Sequence, residues 1–325
     1  MTVQNATSAA AASNSKILAE DFAAVVEYGM QSVEQKMHDI VDSSVEVLRD
    51  ASRHILSSGG KRIRPRLMVL SYLAAGGTAP ERIAAPAAAV ELVHTASVVH
   101  DDINDHGVLR RGKPSVNAIW GRTFALLTGD YLFAKVYELM APYRDMNIEL
   151  AEATIALVEG ETLQASAVKE NKLNREIYTR IIGLKTAALF RSSARIGARM
   201  AGGSAALVDA LGSYAFNVGL AFQVVDDILD LTADSNQLGK TAGIDLEQGR
   251  GLGAAYINEG KAEVAPKDPL ESVKRKLLDG GAVEEGWQQA NMLINAAISS
   301  LDELPEGPAR DALVSLAHLV VERKF

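Results

Sequence analysis

The chain has no cysteine in 325 residues. That excludes a disulfide framework, a thiolate metal site and a cysteine nucleophile. Aromatic residues are scarce as well, 5% of the chain against 48% hydrophobic residues overall. The core must therefore be built from small and aliphatic side chains, a composition that favours closely packed helices. No uncharged apolar stretch approaches the roughly 20 residues that span a bilayer, so no transmembrane segment is expected. Positive charge is also short: the formal net charge is −8. Non-specific nucleic-acid binding through bulk charge is thereby disfavoured, and any anionic ligand must be held by local groups of Lys and Arg. A cysteine-free chain fits a reducing compartment. The opening MTVQNATSAAAASNSK has neither the long apolar centre of a secretory signal nor the arginines of a transit peptide. A cytoplasmic protein is expected, with residues 1–15 as a disordered tail and 16–325 as one domain.

What is present is helical periodicity. Apolar residues recur at three and four along most of the chain. The pattern predicts helices near 19–38, 43–56, 65–75, 80–105, 118–141, 146–168, 174–200, 204–231, 268–278, 281–300 and 307–323. Breaks fall at Gly59-Gly60, Gly76-Gly77, Gly112-Lys113-Pro114, Gly202-Gly203 and Gly280-Gly281. The most irregular stretch, 232–267, reads as a lid. The expected fold is one all-α domain.

One pattern occurs twice. VVHDDIND (98–105) and QVVDDILD (223–230) each end an apolar helical run with Asp-Asp-x-x-Asp. A spacing of four puts Asp101 and Asp105 on one helix face, and likewise Asp226 and Asp230; Asp102 and Asp227 lie about 100° round. Carboxylates so close repel: two unit charges about 5 Å apart at an effective dielectric near 20 cost roughly 3 kcal/mol. They also oppose the helix dipole at a C-terminus. A solvated helix end explains one such cluster. Two, both on greasy helices, point to a shared cation, and hard oxygen ligands in short clusters suit Mg²⁺ bridged to phosphate.

Magnesium and phosphate require basic residues nearby. GGKRIRPRL (59–67) supplies Lys61, Arg62 and Arg64 at a glycine turn ahead of a helix N-terminus. RRGKPS (110–115) places Arg110 and Arg111 five residues past the first cluster, either to fork onto phosphate or to neutralise the aspartates. LKTAALF (184–190) sets Lys185 and Thr186 inside an apolar helix, and GKTAGIDLEQGR (239–250) adds Lys240 and Arg250. His94 stands two helical turns before Asp101 on roughly the same face, as a core histidine or a ligand for an anion. This many cations exceeds the need of one phosphate group and fits two diphosphates. No HExxH, Walker loop or serine elbow is present.

The chain resembles the trans-isoprenyl diphosphate synthases, or polyprenyl synthases, from about residue 20 onward. The resemblance rests on GGKRIRP, LVHTASVVHDDIND, RRGKPS, GDYLF, GLKTAALF, FQVVDDILD and GKTAGIDLEQG, in the family's order. It implies an all-helical bundle around a central cavity of the isoprenoid synthase type, usually a homodimer. The implied reaction condenses isopentenyl diphosphate with an allylic diphosphate. The implied metal ligands are Asp101, Asp102, Asp105, Asp226, Asp227 and Asp230, holding about three Mg²⁺. Lys61, Arg64, His94 and Arg111 would bind isopentenyl diphosphate. Arg110, Lys185, Thr186, Gln223 and Lys240 would line the allylic site. Product length would depend on Ala96, Ser97 and Val93, small residues before the first cluster, and their size favours geranylgeranyl or longer. After DLEQG the family continues with Lys and then Thr-Leu-Pro. Here RGLGAAYI follows, so Arg250 keeps the charge and the Leu-Pro is missing. A non-catalytic regulatory subunit would be expected to lack an Asp cluster. A terpene cyclase would be expected to carry an Asn/Ser/Glu triad in place of DDILD.

Overall fold

A computed structural model describes residues 3–232, 244–262 and 268–323, with side chains from Asp21 onward. The chain order is α1 (Val3–Ile40), α2 (Glu46–Ser57), α3 (Ile63–Ala74), α4 (Ala84–Asn104), α5 (Val116–Met140), α6 (Arg144–Lys169), α7 (Arg175–Ile182), α8 (Ala188–Met200) and α9 (Ala205–Thr232). It continues through α10 (Ile244–Glu247), α11 (Gly251–Asn258), α12 (Leu270–Asp279), α13 (Ala282–Ser299) and α14 (Pro308–Val321). A 3-10 turn at Pro80–Ile83 leads into α4, and a π-helical turn at Gly183–Ala187 joins α7 to α8. The fold is all-α, as the periodicity predicts.

Local chemistry accounts for many of the boundaries. Ser115 caps α5 by accepting from the Ala118 amide, and Asn174 caps α7 by accepting from Ile177. Each such cap is worth about 1 kcal/mol. The Gly59-Gly60 break adopts φ of 78° and 154° ahead of α3. α1 takes in residues 3–15, which the sequence reading leaves as a tail; Ala6 and the run Ala9 to Ala12 carry the highest helix propensity. The described part of 232–267 contains two short helices, α10 and α11, joined and followed by turns. Glycines at 251 and 253 mask that helix in the sequence.

α4 and α9 form the centre. α4 packs on α5, α1 and α3, while α9 packs on α8, α13 and the π turn. Ala87, Ala88, Ala89, Leu92, Val93 and Ala96 of α4 are fully buried. Small side chains let the helix backbones approach, as the aromatic-poor composition requires. Pro80–Asn104 and Ala205–Thr232 are long and apolar enough to cross a membrane by length and composition, and their apolar windows are 72% and 50% buried within the fold. A scan for uncharged runs passes over both, because both helices carry charged residues. A helix that is greasy all round is what a deep core position demands.

The strands present among the described residues are Leu109–Arg110 and Lys113–Pro114, an antiparallel pair with Leu109 opposite Pro114. Arg111 and Gly112, with φ of 52° and 75°, form the two-residue turn. Two positive φ values in succession match the twist of a tight hairpin. His54 Nε2 meets the Pro114 carbonyl at 2.8 Å, and Lys113 Nζ donates to the Ser57 carbonyl at 2.8 Å. The hairpin is thereby fastened to α2.

Candidate active site

The two aspartate clusters close the C-terminal ends of α4 and α9, and the basic segments converge on them. Each connection can be followed by atoms. Arg110, in the hairpin, donates through Nε to Asp102 Oδ1 at 3.1 Å. Arg250, at the start of α11, reaches Asp105 at 2.9 Å. Lys185 Nζ lies 2.7 Å from Glu161 on α6 and 4.0 Å from Asp101. Thr186 Oγ1 donates to Gln223 Oε1 at 2.9 Å, and Gln223 Nε2 donates to Asp227 Oδ1 at 2.9 Å. The Leu252 amide donates to Asp227 Oδ2 at 3.0 Å. Asp227 thus caps the start of α11, and the helix forms without the Leu-Pro of the family pattern.

The π turn explains how Lys185 and Thr186 reach this network. An extra residue per turn rotates the side chains after α7 away from a regular helix, and such bulges recur at functional sites. The turn is wedged between two glycines. A methyl group on Gly160 of α6 would lie 2.7 Å from the Lys185 amide nitrogen, and one on Gly219 of α9 would lie 2.7 Å from Ala187 Cα.

Further cations gather beside this network. A methyl group on Gly60 would lie 2.6 Å from Arg111 Nη1, so the 59–64 turn and the hairpin touch there. Arg64 is half-buried, with its guanidinium 4.7 Å from the Phe190 ring. His94 is half-buried, within the field of Arg64, Arg111 and Arg110. Lys61 feels both Asp226 and Arg323. Lys61, Arg64, His94 and Arg111 are therefore one cluster. Arg62 is not part of its free charge. It donates through Nε to Glu34 at 2.7 Å, through Nη1 to Glu91 at 3.1 Å and through Nη2 to the Leu56 carbonyl at 2.9 Å.

Electrostatics match the burial. Burial pushes Asp101 up to about 6, with Lys185 opposing and Glu161 and Asp105 reinforcing. Burial, reinforced by Asp245, pushes Asp227 up to about 7. Asp102 is also raised by burial, against the pull of Arg110. Burial alone would lower Lys185, but Asp101 and Glu161 outweigh it and hold its pKa up. His94 is held well below the ordinary histidine value, first by burial and then by the surrounding arginines. It is a neutral imidazole at pH 7.

Among the described residues no group of three carboxylates or imidazoles is drawn together tightly enough to hold a metal ion. The clusters engage cations of the chain instead: Arg110 on Asp102, Arg250 on Asp105, and Arg323 on Asp226 at 2.9 Å. The donor set still fits a hard divalent cation, since every cluster ligand is a carboxylate.

Three residues without a role in the sequence reading belong to the site. Arg323, after α14, pairs with Asp226 and lies 4.0 Å over the Phe222 ring. Glu161 holds Lys185. Tyr178 of α7 is buried beside Asp227, and its pKa is raised by burial and by that carboxylate. Arg323 stands nearly a hundred residues from its partner, so no spacing in the sequence announces it. Lys240 lies outside the described residues. Ala96 and Val93 are fully buried, while Ser97 is half-buried, with its hydroxyl on the His94 carbonyl at 2.8 Å.

An all-helical bundle with paired acidic clusters, flanked by cations on core helices, is the architecture of enzymes that handle diphosphates through metal ions. The sequence profile of the polyprenyl synthetase family matches residues 45–255. The chain is 32% identical over 318 residues to an all-trans-nonaprenyl-diphosphate synthase (geranyl-diphosphate specific) of Rhodobacter capsulatus, covering 94% of this chain and 98% of that protein. It is 36% identical over 317 residues to a short chain isoprenyl diphosphate synthase of Methanothermobacter thermautotrophicus, covering 91% and 97%. A polyprenyl synthase of Caulobacter crescentus CB15, crystallised with calcium and isoprenyl diphosphate, superposes with a TM-score of 0.86 at 32% identity, covering 94% of this chain and 98% of that one. The chain belongs to the polyprenyl synthetase family and is a prenyl transferase that makes polyprenyl diphosphates.

Proposed function

We propose that this enzyme condenses isopentenyl diphosphate with an allylic diphosphate in a Mg²⁺-dependent reaction. The product is an all-trans polyprenyl diphosphate of geranylgeranyl length or longer, and diphosphate is released. The observation that carries the reading is the number of chain cations gathered at the two aspartate clusters. Arg110 and Lys185 lie beside Asp102 and Asp101, and Lys61, Arg64 and Arg111, with His94 in their field, are read as the isopentenyl diphosphate subsite. So many cations exceed the need of one diphosphate and fit two.

Asp101, Asp102, Asp105, Asp226, Asp227 and Asp230 would hold about three Mg²⁺, which when bound offset the charge that develops on the leaving diphosphate. Arg110, Lys185 and Lys240 bind that same diphosphate. Thr186 and Gln223 turn oxygen dipoles toward the allylic carbon, supporting positive charge there without a basic group to trap it. On this reading water must be excluded from the site, since it would quench an allylic cation. His94 would donate a hydrogen bond to isopentenyl diphosphate.

The small side chains Val93, Ala96 and Ser97 before the first cluster support a long product, since a bulky residue there would stop its tail. A homodimer is also part of the reading. Phe124, Leu127 and Tyr137 of α5 and Ile148, Ile155 and Val158 of α6 are exposed, Tyr137 by 71%. Apolar side chains grouped on two neighbouring helices favour burial against a second copy. We further assign the enzyme to the cytoplasm, a reducing compartment in which a cysteine-free chain lacks nothing.

The test is to incubate the pure protein with Mg²⁺, isopentenyl diphosphate and each allylic primer in turn, and to size the products. Elongation is expected. No elongation with any primer defeats the reading and favours a regulatory subunit; a cyclic hydrocarbon favours a cyclase.

A further inference from the structure

Glu91 lies on α4, ten residues before Asp101, and is only 3% exposed. Its Oε1 accepts from Arg62 Nη1 at 3.1 Å. Among the described residues its buried Oε2 has no hydrogen-bond partner. Burying an ionised carboxylate is costly unless its oxygens are paired. A glutamine of the same shape would give Arg62 the same single bond without burying a charge. The carboxylate must therefore supply something that an amide does not. What it supplies is negative charge, felt by Arg64 and Arg111 as well as by Arg62.

Arg64 and Arg111 belong to the cation group read above as the isopentenyl diphosphate subsite, and the inference rests on that reading. In repeated condensation the product keeps the diphosphate of the isopentenyl unit it has just gained. That diphosphate must leave this subsite before the product can serve as the next allylic substrate. A subsite of uncompensated guanidiniums would hold it too long. Uniformly tight binding of a group that has to depart lowers KM without helping turnover.

We propose that Glu91 is a positioning residue that acts through its charge. It pins Arg62, and with it the 59–64 turn, and it weakens the field that Arg64 and Arg111 present to a diphosphate. The subsite is left tight enough to capture isopentenyl diphosphate and loose enough to pass the product on.

The experiment uses the full chain and Glu91→Gln, which keeps the hydrogen-bond acceptor and removes the charge. Inorganic diphosphate is titrated calorimetrically without metal, so that the aspartate clusters take no part. Its Kd is expected to fall on the order of tenfold, the scale of removing one partly screened charge from the cluster. In steady state both KM for isopentenyl diphosphate and kcat should fall, a split that a purely structural role does not produce. Unchanged or weaker diphosphate binding by Glu91→Gln overturns the proposal. Should that variant not fold, Glu91→Asp, which retains the charge, decides. Wild-type affinity with a lowered melting temperature supports the proposal, and affinity lost in step with stability overturns it. If the wild-type protein itself binds no diphosphate, the subsite reading has failed, independently of Glu91.

Discussion

Gly219 and Gly212 lie two turns apart on α9, and the same substitution at the two positions should act in opposite directions. Alanine in place of glycine inside a helix is worth about 0.5–1 kcal/mol of propensity at either site. At Gly212 the nearest atoms to a new methyl group are Arg195 Cγ and Cδ, at 2.9 and 3.1 Å. These belong to the stem of an unbranched side chain, which can adjust slightly although Glu149 and Asp209 hold its guanidinium. Gly212→Ala should be neutral or about 0.5 kcal/mol stabilising. At Gly219 the nearest atom is Ala187 Cα at 2.7 Å, followed by Ala187 Cβ and Phe190 Cβ, both at 3.1 Å. Backbone cannot yield so easily. Overpacking a close-packed core costs about 1–3 kcal/mol, so Gly219→Ala should be destabilised by about 1–2 kcal/mol after the propensity gain. For a chain of this length that is a fall of about 1.5 °C per kcal/mol in melting temperature. The consequence for activity should be larger, because the methyl pushes on the π turn that carries Lys185 and Thr186. A misplacement of about 1 Å costs on the order of a hundredfold in rate. Thermal melts and initial elongation rates of the two variants make the comparison. If Gly219→Ala matches Gly212→Ala in stability and rate, the π turn is not wedged as described.

The metal-free protein should lose stability as pH rises from about 4 to about 7 through Asp101 and Asp227. Both are raised by burial in the folded state, to about 6 and about 7, so the fold binds protons there that the unfolded chain has released. Asp227→Asn should flatten that slope in denaturant titrations, and an unaltered slope would contradict the assignment. Mg²⁺ with a diphosphate analogue at pH 8 should raise the melting temperature, because it binds the native state alone; an unchanged melting temperature would remove the case for a metal clamp. Ala96→Phe should shorten the product, but it overpacks a fully buried position. Ser97→Phe, at a half-buried position, tests the same tunnel with less damage, and an unshifted product distribution from a folded Ser97→Phe would place the chain-length floor elsewhere.

Long-period features were the most legible in the sequence. Helices such as α4, α6 and α9 repeat their apolar positions over many turns, and the breaks after α3, α8 and α12 fall at Gly76, Gly202 and Gly281, which take positive φ. The aspartate clusters were readable because each keeps its whole pattern within one short segment. What was not readable depends on contacts distant in sequence or on short irregularities. A five-residue π turn leaves the apolar repeat of 174–200 almost undisturbed, so the extra residue is invisible there. α11 was concealed by glycines that resemble a loop, yet Asp227 from α9 supplies its cap. The same cross-chain logic hides Arg323, whose partner Asp226 belongs to another helix. Glu91 is a single charged residue in the apolar run of α4, and only the arrival of Arg62, from the turn before α3, shows what it opposes.

The pairing of Asp102, Asp105 and Asp226 with Arg110, Arg250 and Arg323 has a thermodynamic consequence for ligand binding. On the proposed function, ligand binding would be an exchange of partners. A cation that takes the carboxylates strands three guanidiniums, and a diphosphate that takes the guanidiniums strands three carboxylates. Each ligand alone therefore meets the full cost of the pairs it breaks, whereas the two together replace every pair. Linkage requires that metal and diphosphate strengthen each other's binding by the same factor. On the proposed function, the ion pairs of the ligand-free state would turn two weak binding events into one concerted event, and would keep the carboxylates from capturing metal before there is a diphosphate to share it.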